Sequence, residues 1–286
     1  MRNIGIYYAF WCNEWDADFL PYIEKVKTLG YTQLEINGGT IVDMSHEDRM
    51  KLKKEADKYE IKLSYGIGLT EENDVSSLDE KTRLNGLNFM TKMIRAVGSM
   101  GGGTIGGTVY SSWPKQLPKG NRRLDYLNQS LKSMKVLSKI AEKENVILLC
   151  EVLNRFEQFL LNTCDQALDF VKEINSPNCK ILLDTFHMNI EEDSIIEAII
   201  KCGDYLGGLH LGENNRKPVG LGMMPWAEIK KALDKINFQG SLVQEPFVMS
   251  GGQVGQDIAV WRDIITNPNL DKLAKDSATY IKNNLA

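Results

Sequence analysis

The sequence has few residues of the types that build disulfides and structural metal clusters. Its 286 residues include five cysteines and three histidines. The cysteine number is odd and no C-x-x-C spacing occurs, which fits reduced thiols better than disulfides or structural zinc. We therefore expect a chain that depends on a hydrophobic core, and its 43% hydrophobic content is enough to build one.

Long apolar runs and an excess of positive charge are also missing. No run approaches the roughly 20 residues of a membrane span, and the first residues lead into a strand pattern rather than a signal peptide. The net charge is −4, whereas nonspecific binding to nucleic acid needs clustered Lys and Arg. We expect a cytoplasmic protein with neither a membrane nor a nucleic acid as its partner.

Short apolar runs alternate with longer charged stretches of helical period along the whole chain. This alternation predicts eight strands, each followed by a helix, and no linker that would divide the chain. We therefore predict an α/β fold, a (β/α)₈ TIM barrel, with residues 1–286 as a single domain. The predicted strands cover residues 4–9, 33–36, 62–65, 104–105, 147–151, 180–184, 206–210 and 241–245.

The last four predicted strands each end on a residue type that binds metal ions. Because the carboxyl ends of barrel strands converge on one face, we expect three carboxylates and one imidazole to meet there. Such ligands without cysteine suit Mn²⁺, Co²⁺ or Mg²⁺. Each residue alone has a plainer interpretation, for example as a helix cap or an ion-pair partner, but the set favours a metal site. The four residues are Glu151, Asp184, His210 and Glu245.

The loops that follow these strands carry further polar groups. Glu157, His187 and Arg216 could hydrogen-bond the oxygens of a sugar, although alone His187 is typical of a buried histidine and Arg216 of a solvated charge. A metal that binds a ketose through neighbouring oxygens would stabilise its enediolate. Glu151 and Glu245, expected on opposite sides of the barrel mouth, could then act as base and acid on opposite faces of the sugar. Such a pair would carry out an epimerisation.

Several segments of the sequence closely resemble the D-tagatose 3-epimerase and D-psicose (D-allulose) 3-epimerase family of xylose isomerase-like barrels. The longest are EVLNRFE at 151–157, LDTFHMNIEED at 183–193 and EPFV at 245–248. Shorter matches are GIYY at 5–8, SWP at 112–114, MPW at 224–226 and VWRD at 260–263. The resemblance therefore covers nearly the full length of the chain.

The resemblance implies a Mn²⁺- or Co²⁺-dependent ketose 3-epimerase, with Mg²⁺ as a third candidate. Its substrates would be free ketohexoses, D-fructose with D-psicose and D-tagatose with D-sorbose, and the reaction would pass through a cis-enediolate. It also implies that the four residues above hold the metal, that the two glutamates among them transfer protons, and that the protein is a homodimer or homotetramer. The implied substrate-binding residues are Tyr7, Trp15, Trp113, Glu157, His187, Arg216 and Phe247.

The sequence departs from the family pattern at three positions. Leu211 stands where a threonine is usual, Gly107 where alanine is common, and Cys12 in a loop that is often acidic or polar. These changes leave the preferred sugar open. Two alternative functions also remain, an aldose–ketose isomerase of the same barrel class and a sugar-binding barrel without catalysis. A metal-dependent endonuclease of related fold is disfavoured, because its multi-metal site needs more than three histidines.

Overall fold

Eight parallel strands form a closed barrel in which every strand pairs with its neighbours in chain order. The computed structural model describes residues 2–286. The barrel is closed by pairing of the first strand with the last. The strands are β1 (Ile4–Tyr7), β2 (Gln33–Asn37), β3 (Lys62–Leu69), β4 (Gly103–Ser112), β5 (Val146–Glu151), β6 (Cys179–Asp184), β7 (Leu206–Leu211) and β8 (Ser241–Gln244).

Helices connect the strands and surround the barrel. Several begin at a residue whose side chain accepts a backbone N–H, such as Ser45, Asp79 and Thr163. The helices are α1 (Leu20–Leu29), α2 (Gly38–Asp43), α3 (His46–Lys58), α4 (Glu80–Ser99), α5 (Arg123–Lys143), α6 (Cys164–Ile174), α7 (Thr185–Glu191), α8 (Ile195–Cys202), α9 (Trp226–Lys235), α10 (Gly252–Asp257) and α11 (Leu270–Asn284). This arrangement confirms the predicted (β/α)₈ barrel.

The largest differences from the predicted elements lie at the mouth of the barrel. β4 has ten residues where the sequence predicts a strand at 104–105. β1 ends at Tyr7, because residues Tyr8–Phe10 form a 3₁₀ helix. The short helices α2, α7 and α10 were not predicted, since fewer than two turns give no clear apolar period.

The interior of the barrel is packed tightly at its middle. A Cβ atom on Gly106 or Gly208 would lie 3.0 or 3.1 Å from the side chain of Leu182, so these glycines make room for larger neighbours. The outward residues of the strands, such as Leu148 and Cys150, are fully buried under the helices. The barrel thus provides a rigid frame below its carboxyl-terminal mouth.

The five cysteines are all free, as the sequence predicts. Of the helices among residues 2–286, none is long and apolar enough to cross a membrane.

Candidate metal centre and sugar pocket

The four predicted metal ligands meet at the carboxyl-terminal mouth of the barrel. Glu151 and Asp184 are the last residues of β5 and β6, His210 lies near the end of β7, and Glu245 follows β8 directly. One ligand atom from each of the four lies within 4.8 Å of the others. β5 and β8 are separated by β6 and β7, so Glu151 and Glu245 reach this point from well-separated sides of the mouth.

His210 points one ring nitrogen into the carboxylates. Its Nδ1 lies 3.5 Å from Oε1 of Glu151, 3.9 Å from Oδ2 of Asp184 and 3.8 Å from Oε2 of Glu245. This Nδ1 is buried and has no hydrogen-bond partner. A buried nitrogen left unpaired among three carboxylates fits a divalent cation at their centre, and the mixed O and N ligands suit Mn²⁺, Co²⁺ or Mg²⁺.

Asp184 caps a helix and also faces the other predicted metal ligands, which are the two roles that its position in the sequence suggested. Its Oδ1 accepts hydrogen bonds from the backbone N–H groups of Phe186 at 2.7 Å and His187 at 3.2 Å, and so caps α7. Its Oδ2 is the oxygen that faces His210. The side chain is 1% exposed, so both oxygens are fixed.

Without a cation, this cluster favours protonated groups. Burial raises the pKa of Glu245 to about 8, and Glu151 and Asp184 add to the rise while His210 and Arg216 oppose it. Burial would lower the pKa of His210, but the carboxylates, Glu35 foremost, raise it well above its usual value. A bound divalent cation would displace protons from this cluster, because each ligand atom gives a lone pair to the metal.

Three predicted substrate-binding residues lie together beside the metal ligands. Arg216 is 7% exposed, and its Nη2 lies 3.3 Å from Oε1 of Glu157 and 3.4 Å from Nε2 of His187. Its Nη1 donates to Oε2 of Glu245 at 3.3 Å. The guanidinium stacks on Phe186, 4.2 Å from the ring centre. Arg216 also has a left-handed φ of 63°, a costly conformation that often marks a functional position.

The orientation of His187 is set by a residue that sequence reasoning missed. The backbone N–H of Asn154 donates to Nδ1 of His187 at 3.2 Å, which leaves Nε2 as the donor toward the cavity. The Asn154 side chain also donates to Oε1 of Glu157 at 3.0 Å. Burial would raise the pKa of Glu157, but His187, Arg216 and two hydrogen bonds lower it, so this group faces the cavity as a carboxylate.

The four predicted aromatic residues form a wall of the same cavity, which has a volume of about 580 Å³. The ring centres of Tyr7 and Trp15 are 6.4 Å apart, those of Tyr7 and Phe247 6.3 Å, and those of Trp15 and Trp113 6.3 Å. The indole N–H of Trp113 donates to Oε2 of Glu157 at 3.0 Å. The structure therefore brings the predicted site residues to the lining of one cavity, except Asp184, which lies against the other three predicted ligands behind that lining.

Of the three residues that depart from the family pattern, Gly107 alone lines the cavity. The side chain of Leu211 is fully buried away from it, and Cys12 contacts the hydroxyl of Tyr22 at 2.9 Å. Two lining residues that the sequence did not reveal are Asp16, from the loop after β1, and Asp257, from the end of α10, and their approach depends on the closed barrel.

Comparison with known proteins gives a consistent result. The model of the xylose isomerase-like TIM barrel family matches residues 23–282. The D-psicose 3-epimerase of Ruminiclostridium cellulolyticum is 45% identical over 260 residues, which cover 91% of this chain and 89% of the relative. The D-psicose 3-epimerase of Enterocloster bolteae is 42% identical over 275 residues, covering 96% and 91%.

The structural comparison agrees. A crystal structure of D-psicose 3-epimerase with D-tagatose from Clostridium cellulolyticum H10 superposes with a TM-score of 0.97 at 43% identity, covering 99% of both chains. The chain therefore belongs to the xylose isomerase-like TIM barrel family and, within it, to the D-psicose 3-epimerases, which are isomerases.

Proposed function

We propose that this protein is a metal-dependent ketose 3-epimerase that interconverts D-fructose with D-psicose and D-tagatose with D-sorbose. The observation that carries the proposal is the buried group of Glu151, Asp184, His210 and Glu245, three of which line a cavity large enough to admit a hexose. These four residues would hold Mn²⁺ or Co²⁺, with Mg²⁺ as a third candidate. When bound, the cation supplies Lewis acid stabilisation of negative charge on the sugar oxygens.

Glu151 and Glu245 are the residues that would move the proton. One carboxylate removes the proton from carbon 3 of the ketose, which leaves a cis-enediolate, and the other carboxyl group returns a proton to the opposite face. The two side chains come from β5 and β8, with β6 and β7 between them, so a planar sugar fragment could lie between their carboxyl groups. Each turnover leaves one glutamate protonated and the other deprotonated, and the reverse reaction exchanges their roles.

The polar residues beside the metal ligands would fix the reacting end of the sugar. Nε2 of His187 and the guanidinium of Arg216 both face the cavity as donors, and the carboxylate of Glu157 accepts. This set can bind the oxygens on carbons 1 to 3. The aromatic wall would then contact carbons 4 to 6 without reading their configuration.

The charges of the cavity favour a free sugar over a sugar phosphate. Among the described residues that line it, Arg216 is the only Lys or Arg, and it is held by Glu157 and Glu245 beside the metal ligands. Asp16, Asp43 and Asp257 line other parts of the cavity. A phosphate on the distal carbon would meet carboxylates without a cation to pair with, which disfavours binding.

The decisive experiment is to strip the protein of metal, add Mn²⁺ and incubate it with D-fructose in D₂O. Psicose with deuterium at carbon 3 would establish epimerisation through loss and return of that proton. Aldose with deuterium at carbon 2 would support an aldose–ketose isomerase instead. Failure to convert any ketose in a panel, with Mn²⁺ bound, would support a sugar-binding protein without catalysis.

We further propose a homodimer or homotetramer. Large apolar side chains are exposed on loops of the barrel mouth, among them Phe156 at 69%, Met223 at 77% and Trp261 at 75%. The proposed second subunit would cover such side chains. Light scattering would measure the mass, and a monomer at micromolar concentration would contradict this assembly.

A further inference from the structure

Glu35 is a buried carboxylate below the metal ligands that the reaction itself does not use. It lies on β2, is 5% exposed, and its Oε1 is 2.9 Å from Nε2 of His210. His210 therefore lies between Glu35 on one side and the three carboxylates on the other. We propose that Glu35 is a positioning residue that holds the imidazole so that Nδ1 faces the cation, an inference that rests on the proposed metal site.

Two side chains hold Glu35 in place. Oγ of Ser64 donates to its Oε2 at 2.8 Å, and Nε2 of Gln33 donates to Oγ of Ser64 at 2.7 Å. Gln33 and Ser64 are each 1% exposed, and Glu35 and Ser64 are paired residues of β2 and β3. The row Gln33, Ser64, Glu35 and His210 thus connects the strands of the barrel to the metal site, and each member limits the rotation of the next.

The negative charge of Glu35 indicates that it acts on the imidazole of His210. Burying a carboxylate without a positive partner is costly, yet among the residues the structure describes His210 is the only basic side chain within 4.0 Å of it. A neutral imidazole has one N–H, and the negative charge of Glu35, 2.9 Å from Nε2, favours the tautomer with the proton there, although the ring N–H is not aligned for a hydrogen bond to Oε1. The lone pair then stands on Nδ1, as binding to a metal requires. A carboxylate behind the ring also makes it a stronger ligand.

The test compares Glu35→Gln and Ser64→Ala with a matched control, Glu213→Gln. Glu213 is also fully buried, but its carboxylate accepts from the backbone N–H groups of Gly220 and Met224 and from the indole of Trp226. Circular dichroism checks the fold of each variant. Mn²⁺ affinity is measured by the electron paramagnetic resonance signal of the free ion, and ligand geometry by the visible absorption of the Co²⁺ form.

We expect Glu35→Gln to raise the Kd for Mn²⁺ by about 10- to 100-fold and to shift the Co²⁺ bands, as is typical when the partner of a metal-binding histidine is lost. Ser64→Ala should raise the Kd less, because Glu35 itself remains beside His210. Glu213→Gln should keep the affinity and spectrum of the wild type. At saturating Mn²⁺ the epimerase activity of Glu35→Gln should recover, with the KM for the sugar unchanged, because Glu35 does not touch the sugar.

Each outcome decides the matter. A Kd and a Co²⁺ spectrum of Glu35→Gln equal to those of the wild type would overturn the role of Glu35 and leave the proposed function intact. If Glu35→Gln does not fold, Ser64→Ala decides: a raised Kd supports the inference and an unchanged Kd overturns it. Wild-type protein that binds no Mn²⁺ would overturn the metal site, and this inference with it.

Discussion

The indole N–H of Trp15 donates a hydrogen bond of 2.7 Å to Oδ2 of Asp257. This contact joins the loop after β1 to the end of α10, and a second one, from the backbone N–H of Val254 to the carbonyl of Asn13 at 3.0 Å, lies beside it. Both Trp15 and Asp257 line the cavity. The loop after β1 and the end of α10 therefore close one side of the proposed sugar pocket together.

Trp15→Phe should weaken sugar binding, because it removes the hydrogen bond to Asp257. The substitution keeps an aromatic ring in the wall of the cavity. Such a bond is worth about 0.5–1.5 kcal/mol, so we expect the KM to rise by about two- to tenfold with kcat changed less. The control is Trp11→Phe, since Trp11 donates in the same way to Asp271 at 2.8 Å but does not line the cavity. An equal effect of both variants on the KM would contradict a role of the Trp15 contact in closing the pocket.

Glu151→Gln and Glu245→Gln should each remove turnover and keep the fold. Loss of a positioned acid or base typically lowers the rate by about 10²- to 10⁴-fold. The conversion of D-fructose would be measured over a range of Mn²⁺ concentrations, together with the metal content, because both residues are also proposed ligands. Full activity of either variant with metal bound would rule out the two-glutamate mechanism.

The stability of the metal-free protein should fall as the pH rises. Burial raises the pKa of Glu245 from 4.5 to about 8, so between these values the folded chain keeps a proton that the unfolded chain has released. The Tm of EDTA-treated protein should therefore decrease across this window, and Glu245→Gln should reduce the slope. Calorimetry at a series of pH values measures this. A Tm that increases with pH in the absence of metal would contradict the assignment.

Gly107→Ala should destabilise this fold strongly, although the family pattern has alanine there, because the backbone of this chain takes a conformation at residue 107 that favours glycine. Gly107 has a φ of +108°, and a Cβ there would lie 2.1 Å from the carbonyl oxygen of Ile67. Gly120→Ala is the matched control, because Gly120 has a φ of +85° with no atom within 4 Å of its Cβ position. The control should lose about 1–2 kcal/mol from backbone conformation alone, and Gly107→Ala clearly more. Equal losses in urea unfolding would show that the backbone accommodates the methyl group.

The clustering of the four proposed metal ligands could be predicted from the sequence because barrel topology brings the ends of parallel strands together. Glu151, Asp184, His210 and Glu245 needed only the correct strand boundaries to be placed at one point. The same reasoning placed the proposed sugar-binding residues Glu157, His187 and Arg216 after these strands. The family resemblance added which side chains would face the sugar.

Other features depend on the closed barrel and could not be predicted. Glu35 lies within a predicted strand, but a single charged residue there does not reveal whether it points inward or which strand it faces. The bond between Trp15 and Asp257 joins residues that are 242 positions apart, one on a loop and one at the end of the short helix α10, which the sequence did not predict. β4 was predicted too short because its glycines and hydroxyl residues lack an apolar signal, although they are mostly buried.

The two hydrogen bonds that Oδ1 of Asp184 accepts from α7 also explain why β6 ends on an aspartate and not on a glutamate. With one methylene group, the carboxylate reaches back to the amides of Phe186 and His187 while its second oxygen faces His210. Glutamate is one methylene longer and caps helices poorly, so Asp184→Glu would place one oxygen correctly only by displacing the other. The site therefore uses glutamate at the ends of β5 and β8, where the carboxylate only has to reach the mouth, and aspartate where it must also begin a helix.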